Sequence, residues 1–245
     1  MRVNHQPAYV LHTRPWSETS LLVDVFTREH GRFRLLAKGA RRQKTGQRAL
    51  LQPFQPLIIS WTARRSLGTL TGVEMRMNFP RLRAQHLASA YYMSELLFKF
   101  LHAYDAHESL FEAYDEAIEQ LCETQEPESV LRSFECSLLS EVGYGLQLEH
   151  DAGSLEPIDL NARYYYYPEK GPIEVREHDS QEGLTISGRT LQALSNKLFD
   201  NHQVQKESKQ LLRMLLTRQL RGREFNTRSV YTQMLKSQSG KGTQK

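Results

Sequence analysis

Between Arg28 and Arg48 the chain carries eight Lys or Arg residues and a single acid, Glu29. The inner part of this stretch, Lys38-Gly39-Ala40-Arg41-Arg42-Gln43-Lys44-Thr45-Gly46-Gln47-Arg48, holds five cations and no carboxylate. Cations on a mobile segment suit a polyanion, because phosphate contacts need charge and reach but no fixed register. A solvated polar loop is the alternative, yet such loops seldom concentrate charge of one sign. The candidate nucleic-acid contacts are therefore Arg32, Arg34, Lys38, Arg41, Arg42, Lys44 and Arg48. Phe33, Trp16 and Trp61 carry rings able to stack on bases. Burial in a core is the commoner fate of each such ring.

Other clusters are weaker. Arg213, Arg218, Arg221, Arg223 and Arg228 lie near Leu211, Leu212, Leu215, Leu216 and Leu220, so they form the outer face of an amphipathic helix that either contacts DNA or is merely solvated. Glu112, Asp115, Glu116 and Glu119 recur at helical spacing opposite an apolar stripe, the pattern of a solvated helix surface. A metal-dependent nuclease using these carboxylates beside a basic groove is the competing function. Against it, the nine histidines make no H-E-x-x-H and no pairing with cysteine. No Walker loop, dinucleotide fingerprint or G-x-S-x-G elbow is present. The expected protein is not an enzyme and carries no cofactor or metal.

Arg132 stands apart as the one basic residue between positions 105 and 160, against 15 acids. On a helix it falls beside Cys136 and Leu139, where a guanidinium flanked by apolar groups can clamp a carboxylate. A salt bridge to Glu128 or Glu135 is the simpler reading of the same residue.

These groups need a frame. Tyr9-Val10-Leu11, Ser20–Thr27, Arg32–Leu36, Leu57–Thr62 and Leu67–Met75 read as five short strands, with Leu21, Val23 and Val25 on one face and a tight turn at Glu29-His30-Gly31. So many strands in about 75 residues, without a helical period, predict a small OB-type barrel. After Pro80 the period becomes helical. Residues 84–103 place Leu87, Tyr91, Leu97, Phe98 and Leu101 on one face of a helix apolar nearly all round, suited to the middle of a bundle. A second helix covers 108–123, with Leu110, Phe111, Tyr114, Ile118 and Leu121 inward. A third runs from Pro127 to Gly143-Tyr144-Gly145 with Val130, Leu131, Phe134, Leu138 and Val142 inward. Residues 146–186 lose the period and read as an irregular insert with a small hairpin. Helices resume at 188–200, 204–221 and 227–236. The expected fold is α+β in two domains: a five-stranded OB-fold β-barrel over 1–80, then an α-helical bundle over 81–236. A disordered tail follows at 237–245.

Charge is segregated along this frame. Residues 1–83 hold 15 basic and 4 acidic side chains, residues 105–160 sum to −14, and residues 206–245 sum to +8. Basic ends point to a polyanion, and the acidic middle to its exclusion there. Two cysteines, no long apolar run and no apolar segment within Met1–Val10 predict a cytoplasmic protein without a membrane partner.

The stretch Tyr9-Val10-Leu11-His12-Thr13-Arg14-Pro15-Trp16-Ser17-Glu18-Thr19-Ser20 resembles the opening of the RecO family. Asp24-Val25-Phe26-Thr27, Gly31-Arg32, Lys38-Gly39-Ala40-Arg41, Gln52-Pro53-Phe54 and Pro56-Leu57 continue the likeness. Further on, Leu131-Arg132, Phe134-Glu135, Leu138-Leu139 and Gly143-Tyr144-Gly145 look like the motif of that family's helical domain. The resemblance implies binding to single- and double-stranded DNA, annealing of complementary strands and partnership with RecR. It also implies docking on the acidic C-terminal tail of the single-stranded DNA-binding protein SSB, so that RecA is loaded on coated DNA. By position it places Lys38, Arg41 and Arg42 in the DNA-binding strand and loop, and Arg132, with Cys136 and Leu139, at the SSB-tail site. Some members hold a four-cysteine zinc site in the insert. Residues 146–186 contain no cysteine, so the insert is expected to fold without metal on side chains such as Tyr164–Tyr167.

Overall fold

The computed structural model describes residues 1–42, 46–63, 67–76, 82–175 and 184–220. They form two compact units, one from Met1 to Thr124 and one beginning at Gln125.

In the first unit, β1 (Arg2–Pro15), β2 (Leu21–Thr27), β3 (Gly31–Ala37), β4 (Pro56–Ala63) and β5 (Gly68–Met75) close into a barrel in the order β1-β2-β3-β5-β4. Every pairing is antiparallel except β3 with β5. This is the expected five-stranded OB-type barrel. Leu21, Val23 and Val25 of β2 point into it, with Phe33 and Leu35 of β3 and Leu57, Ile59 and Trp61 of β4. β1 is longer than the sequence suggests, because it pairs with β2 from Ala8 to Pro15 and with β4 from Arg2 to Tyr9. Its register shifts at Val3/Gln6, where His5 has a φ of 53°, and again at Val10/His12. Such bulges bend a strand around a barrel and erase the period-two pattern that would have marked Arg2–Ala8 as a strand.

The β2–β3 hairpin turns where expected. Gly31 has a φ of 63°, and a Cβ there would lie 1.7 Å from the Asp105 carbonyl oxygen. Only glycine fits both demands.

A short helix, α1 (Gln47–Leu50), precedes β4, and α2 (Leu87–Phe100) and α3 (Glu108–Glu123) complete the unit. The predicted inner face of α3 is buried throughout. Phe111 stands 5.4 Å from Phe26 and 5.9 Å from Tyr9, which covers the outer side of β1 and β2. For α2 the predicted face is corrected. Leu87, Tyr91 and Phe98 are exposed, and Ala90, Met93, Ser94, Leu96 and Leu97 are buried. A helix apolar nearly all round does not announce its inner side. The small Ala90 and Ser94 sit on the inner one, while Tyr91 packs edge-on against Phe54 at 4.8 Å.

The second unit contains α4 (Pro127–Glu141), β6 (Arg163–Tyr167), β7 (Gly171–Glu174), β8 (Leu184–Ser187), α5 (Gly188–Asn196) and α6 (His202–Gln219), with α6 packed on α4 and α5. The insert is more than a hairpin: its strands form a three-stranded antiparallel sheet in the order β7-β6-β8. Carboxylates hold it together. Asp151 accepts hydrogen bonds from the amides of Gly153 (2.7 Å), Ser154 (2.6 Å) and Glu174 (2.6 Å). Burial pushes its acidity down, but these bonds outweigh burial and keep its carboxyl below the usual range. Glu207 of α6 likewise accepts from the Ser187 amide (2.9 Å) and the Thr190 hydroxyl (2.7 Å) at the start of α5. Tyr164 and Tyr166 are buried between these anchors.

Among the described residues no helix is long and apolar enough to cross a membrane. The helix expected at 227–236, the tail 237–245, Lys44, Arg221, Arg223 and Arg228 lie outside the described residues.

Candidate nucleic-acid interface

Alternation along β3 buries Phe33, Leu35 and Ala37 and turns Arg32 and Arg34 outward. Neither arginine is idle. Arg34 makes a bidentate pair with its cross-strand neighbour Asp24, at 2.9 and 3.2 Å. Arg32 donates to the Leu101 carbonyl at 3.3 and 3.1 Å, and its guanidinium lies 4.6 Å above the Phe98 ring. Burial lowers the Arg32 pKa from its ordinary value. Two further barrel cations are also engaged. Arg28 pairs with Glu112 at 2.6 Å and Glu108 at 3.7 Å, and Arg76 pairs with Asp115 at 2.8 Å. Two of the α3 carboxylates that suggested catalysis, Glu112 and Asp115, are thus counter-ions of the barrel, and Glu108 of the same helix is a third. Among the described residues no group of three or more His, Cys, Asp or Glu is placed to hold a metal.

The other end of β3 differs. Lys38, Arg41 and Arg42 project from a turn that Ala40, fully buried, anchors to the core. Gly39 adopts a φ of 72°, and the Arg42 amide closes the turn on the Gly39 carbonyl at 3.0 Å. The turn is clamped to the β1–β2 loop: the Arg41 amide donates to the Thr19 carbonyl (3.0 Å) and its guanidinium to the Ser17 carbonyl (2.6 Å). Arg48 is exposed on α1, which Leu51 anchors in the core. Among the described residues Arg14, Lys38, Arg41 and Arg48 form no ion pair.

Sequence reasoning passed over Arg14. Strand pairing aligns Arg14 with Leu22, and Leu22 with Leu36, so Arg14 lies on the outer face beside the Lys38 turn. Its alternation with His12 was the available signal. Of the three candidate rings, Phe33 and Trp61 belong to the core, 4.9 Å apart. Trp16 does not: it is exposed on the β1–β2 loop. The structure therefore brings together Lys38, Arg41 and Arg42 with Arg14 and Trp16, and binds Arg32 and Arg34 into other contacts.

In the second unit, Arg132, Cys136 and Leu139 share α4 and are all buried. Arg132 is 4% exposed and donates to Glu135 at 2.8 Å, the simpler pairing read from the sequence, while Glu128 takes Lys209 at 3.1 Å. The Arg132 Nε is buried without a hydrogen-bond partner. Burial pushes the Cys136 thiol up to about 12. Its side chain lines a cleft of about 430 Å³ with Leu148, His150, Leu194 and Lys197.

Comparison with known proteins is consistent across the chain. Residues 1–79 match the family described as Recombination protein O N terminal, and residues 81–229 match Recombination protein O C terminal. The chain is 44% identical over 234 residues to DNA repair protein RecO of Nitrosococcus oceani, covering 96% of this chain and 95% of that protein. It is 41% identical over 234 residues to DNA repair protein RecO of Aromatoleum aromaticum, covering 95% and 97%. With DNA repair protein RecO of Methylococcus capsulatus it shares 40% identity over 230 residues, covering 94% and 93%.

Proposed function

The chain belongs to the RecO family of DNA repair and recombination proteins, and from that premise we propose that it binds single- and double-stranded DNA at the barrel end carrying Lys38, Arg41 and Arg42. It acts by binding, without a resident cofactor, as a mediator of the RecF pathway in the cytoplasm and at the nucleoid. It anneals complementary strands and, with RecR, helps load RecA on SSB-coated single strands. The observation that carries the reading is the exposed cationic turn Lys38–Arg42, clamped to the β1–β2 loop and bordered by Arg14. OB-folds commonly bind oligonucleotides through the face of strands 2 and 3 and through this loop. Annealing needs two backbones held with their repulsion screened, which exposed cations gathered on one turn can supply.

The second unit takes the acidic SSB tail at Arg132, Cys136 and Leu139. Cys136 lines a cleft of mixed character, with Leu148 and Leu194 beside His150, Glu149 and Lys197. The Arg132 Nε is a donor in want of an acceptor, and a tail carboxylate that displaced or joined Glu135 would satisfy it.

The test is a salt titration of DNA affinity. Lys38→Ala/Arg41→Ala/Arg42→Ala should flatten the slope of log affinity against log salt by about 0.9 per lost duplex contact and about 0.7 on single strands. An unchanged slope removes the turn from the interface. Conversion of labelled DNA with Mg²⁺ to shorter product would replace the mediator reading with a nuclease.

A further inference from the structure

The chain has two tryptophans, and they occupy opposite environments. Trp61 is 2% exposed in the barrel core, against Phe33 at 4.9 Å and His30 at 5.2 Å. Trp16 is 59% exposed, and among the described residues no ring or guanidinium packs on its face. Water disfavours so large an apolar surface, so a lone ring left in it invites a ligand with a flat face.

The ring is not on a loose loop. The Trp16 amide donates to the Ser20 carbonyl at 3.0 Å, and the Ser20 amide donates to the Ser17 hydroxyl at 3.2 Å. From outside, Arg41 binds Ser17 and Thr19, the residues that complete the turn. The loop thus joins an aromatic face to cations at fixed places. Arg14 lies two residues before the ring on the outer face of β1, and the Arg41 guanidinium sits on the carbonyl of the residue just after it. An unpaired nucleotide offers the complement: a flat base linked to a phosphate.

We propose that Trp16 is a base-stacking platform that makes this barrel end prefer single-stranded nucleic acid over duplex. The proposal rests on the reading that the Lys38–Arg42 turn binds DNA. A duplex base is already stacked on its neighbours and cannot give its face to Trp16, so the ring adds affinity only for unpaired strands. Pairing with a complement withdraws the base from the ring. Annealing then lowers the protein's hold on its product, and the cations alone retain the duplex.

Stacking of one base on an aromatic ring is worth about 1–3 kcal/mol, roughly 5- to 150-fold in affinity. Trp16→Ala should weaken binding of a thymidine oligomer by such a factor and change binding of a hairpin duplex with the same phosphate number less than about twofold. Trp16→Phe, which keeps a ring, should recover most of the loss. The parent protein supplies a readout without mutation. Its exposed tryptophan fluorescence should be quenched on titration with the thymidine oligomer, and the Trp16→Phe chain, reporting only Trp61, should bind without that quench. Equal losses on both ligands, or an unquenched parent, would overturn the proposal. Unchanged affinity of Trp16→Ala would overturn it too, and would make the ring a protein-contact residue. The triple variant of Lys38, Arg41 and Arg42 is the separate arm. If its salt slope is unaltered the DNA-binding reading fails, whereas a flattened slope with Trp16→Ala unchanged defeats the stacking platform alone.

Discussion

The barrel carries two groups of cations that a charge count treats alike and the structure treats differently. Arg28, Arg34 and Arg76 are held by Glu112, Asp24 and Asp115, and Arg32 by the Leu101 carbonyl and the Phe98 ring. Arg14, Lys38, Arg41 and Arg48 stand at exposed positions without an ion pair among the described residues. Three carboxylates of the first group, Glu108, Glu112 and Asp115, come from α3, so the acidic helix neutralises one flank of the barrel rather than merely repelling DNA. A phosphate that approaches Arg34 must replace a bidentate carboxylate already in place. One that approaches Lys38 displaces water and salt ions only, which is favourable through counter-ion release. The first group is structural and the second is available.

The comparison is broken most severely at Asp115. Its carboxylate takes the Tyr9 hydroxyl and both terminal nitrogens of Arg76, at 3.0 and 2.8 Å for the latter pair. Tyr9 is fully buried, so Asp115→Ala leaves a phenol without its acceptor. The expected cost is about 2 kcal/mol of unfolding free energy in urea, with the DNA salt slope intact. The triple alanine variant of Lys38, Arg41 and Arg42 should do the reverse, staying within about 0.5 kcal/mol of the parent while losing slope. If Asp115→Ala were as stable as the parent, the distinction between the groups would collapse.

A pair of single substitutions sharpens it further. Arg41→Ala should reduce duplex affinity at 0.1 M salt by roughly eightfold, the value of one phosphate contact. Arg34→Ala, whose charge Asp24 already balances, should cost less than about twofold by the same counter-ion accounting. Gel-shift or anisotropy titrations at three salt concentrations suffice. Equal losses would show that DNA competes successfully for the paired arginine.

Much of this frame was readable in the residues and some was not. The β2–β3 hairpin, the inner face of α3 and most of that of α4 follow from alternation, a glycine at a turn and helical spacing, all local signals. Val142 is only half-buried, however, and α4 also buries Arg132, Glu135, Cys136 and Leu139. The parallel pairing of β3 with β5 and the addition of β8 to β6 join residues far apart in the chain, which no short-range pattern encodes. The inner face of α2 was misread because apolar residues surround it, and small residues decide which side approaches. At the candidate interface, composition located the basic stretch but could not separate paired from open cations. Arg32 and Arg34 have the same alternation as a free outward cation, and the partners that occupy them are Asp24, Leu101 and Phe98. Trp16 was weighed as a ring but not as an exposed one. Its polar sequel, Ser17-Glu18-Thr19-Ser20, was the hint that the ring leaves the core.

The smallest expected effect is also the most selective, because it titrates one bond of the structural group. Burial, and then the hydrogen bond to Asp115, hold the Tyr9 hydroxyl above the ordinary tyrosine range. A group whose pKa is raised on folding contributes stability that is complete below its unfolded value, near ~10, and is lost as the pH rises past it. The parent should therefore shed about 1 kcal/mol between pH 10 and pH 11 on account of Tyr9. Tyr9→Phe lacks the hydroxyl: it should begin less stable at pH 8 and lose less over that interval, so the gap in unfolding free energy narrows by the same amount. The triple variant of Lys38, Arg41 and Arg42 should follow the parent's alkaline curve, since none of those side chains touches Tyr9 or Asp115. A constant gap between the parent and Tyr9→Phe from pH 8 to pH 11 would mean that the phenol reaches water in the folded state, and the barrel flank under α3 would then be as open as the Lys38 end.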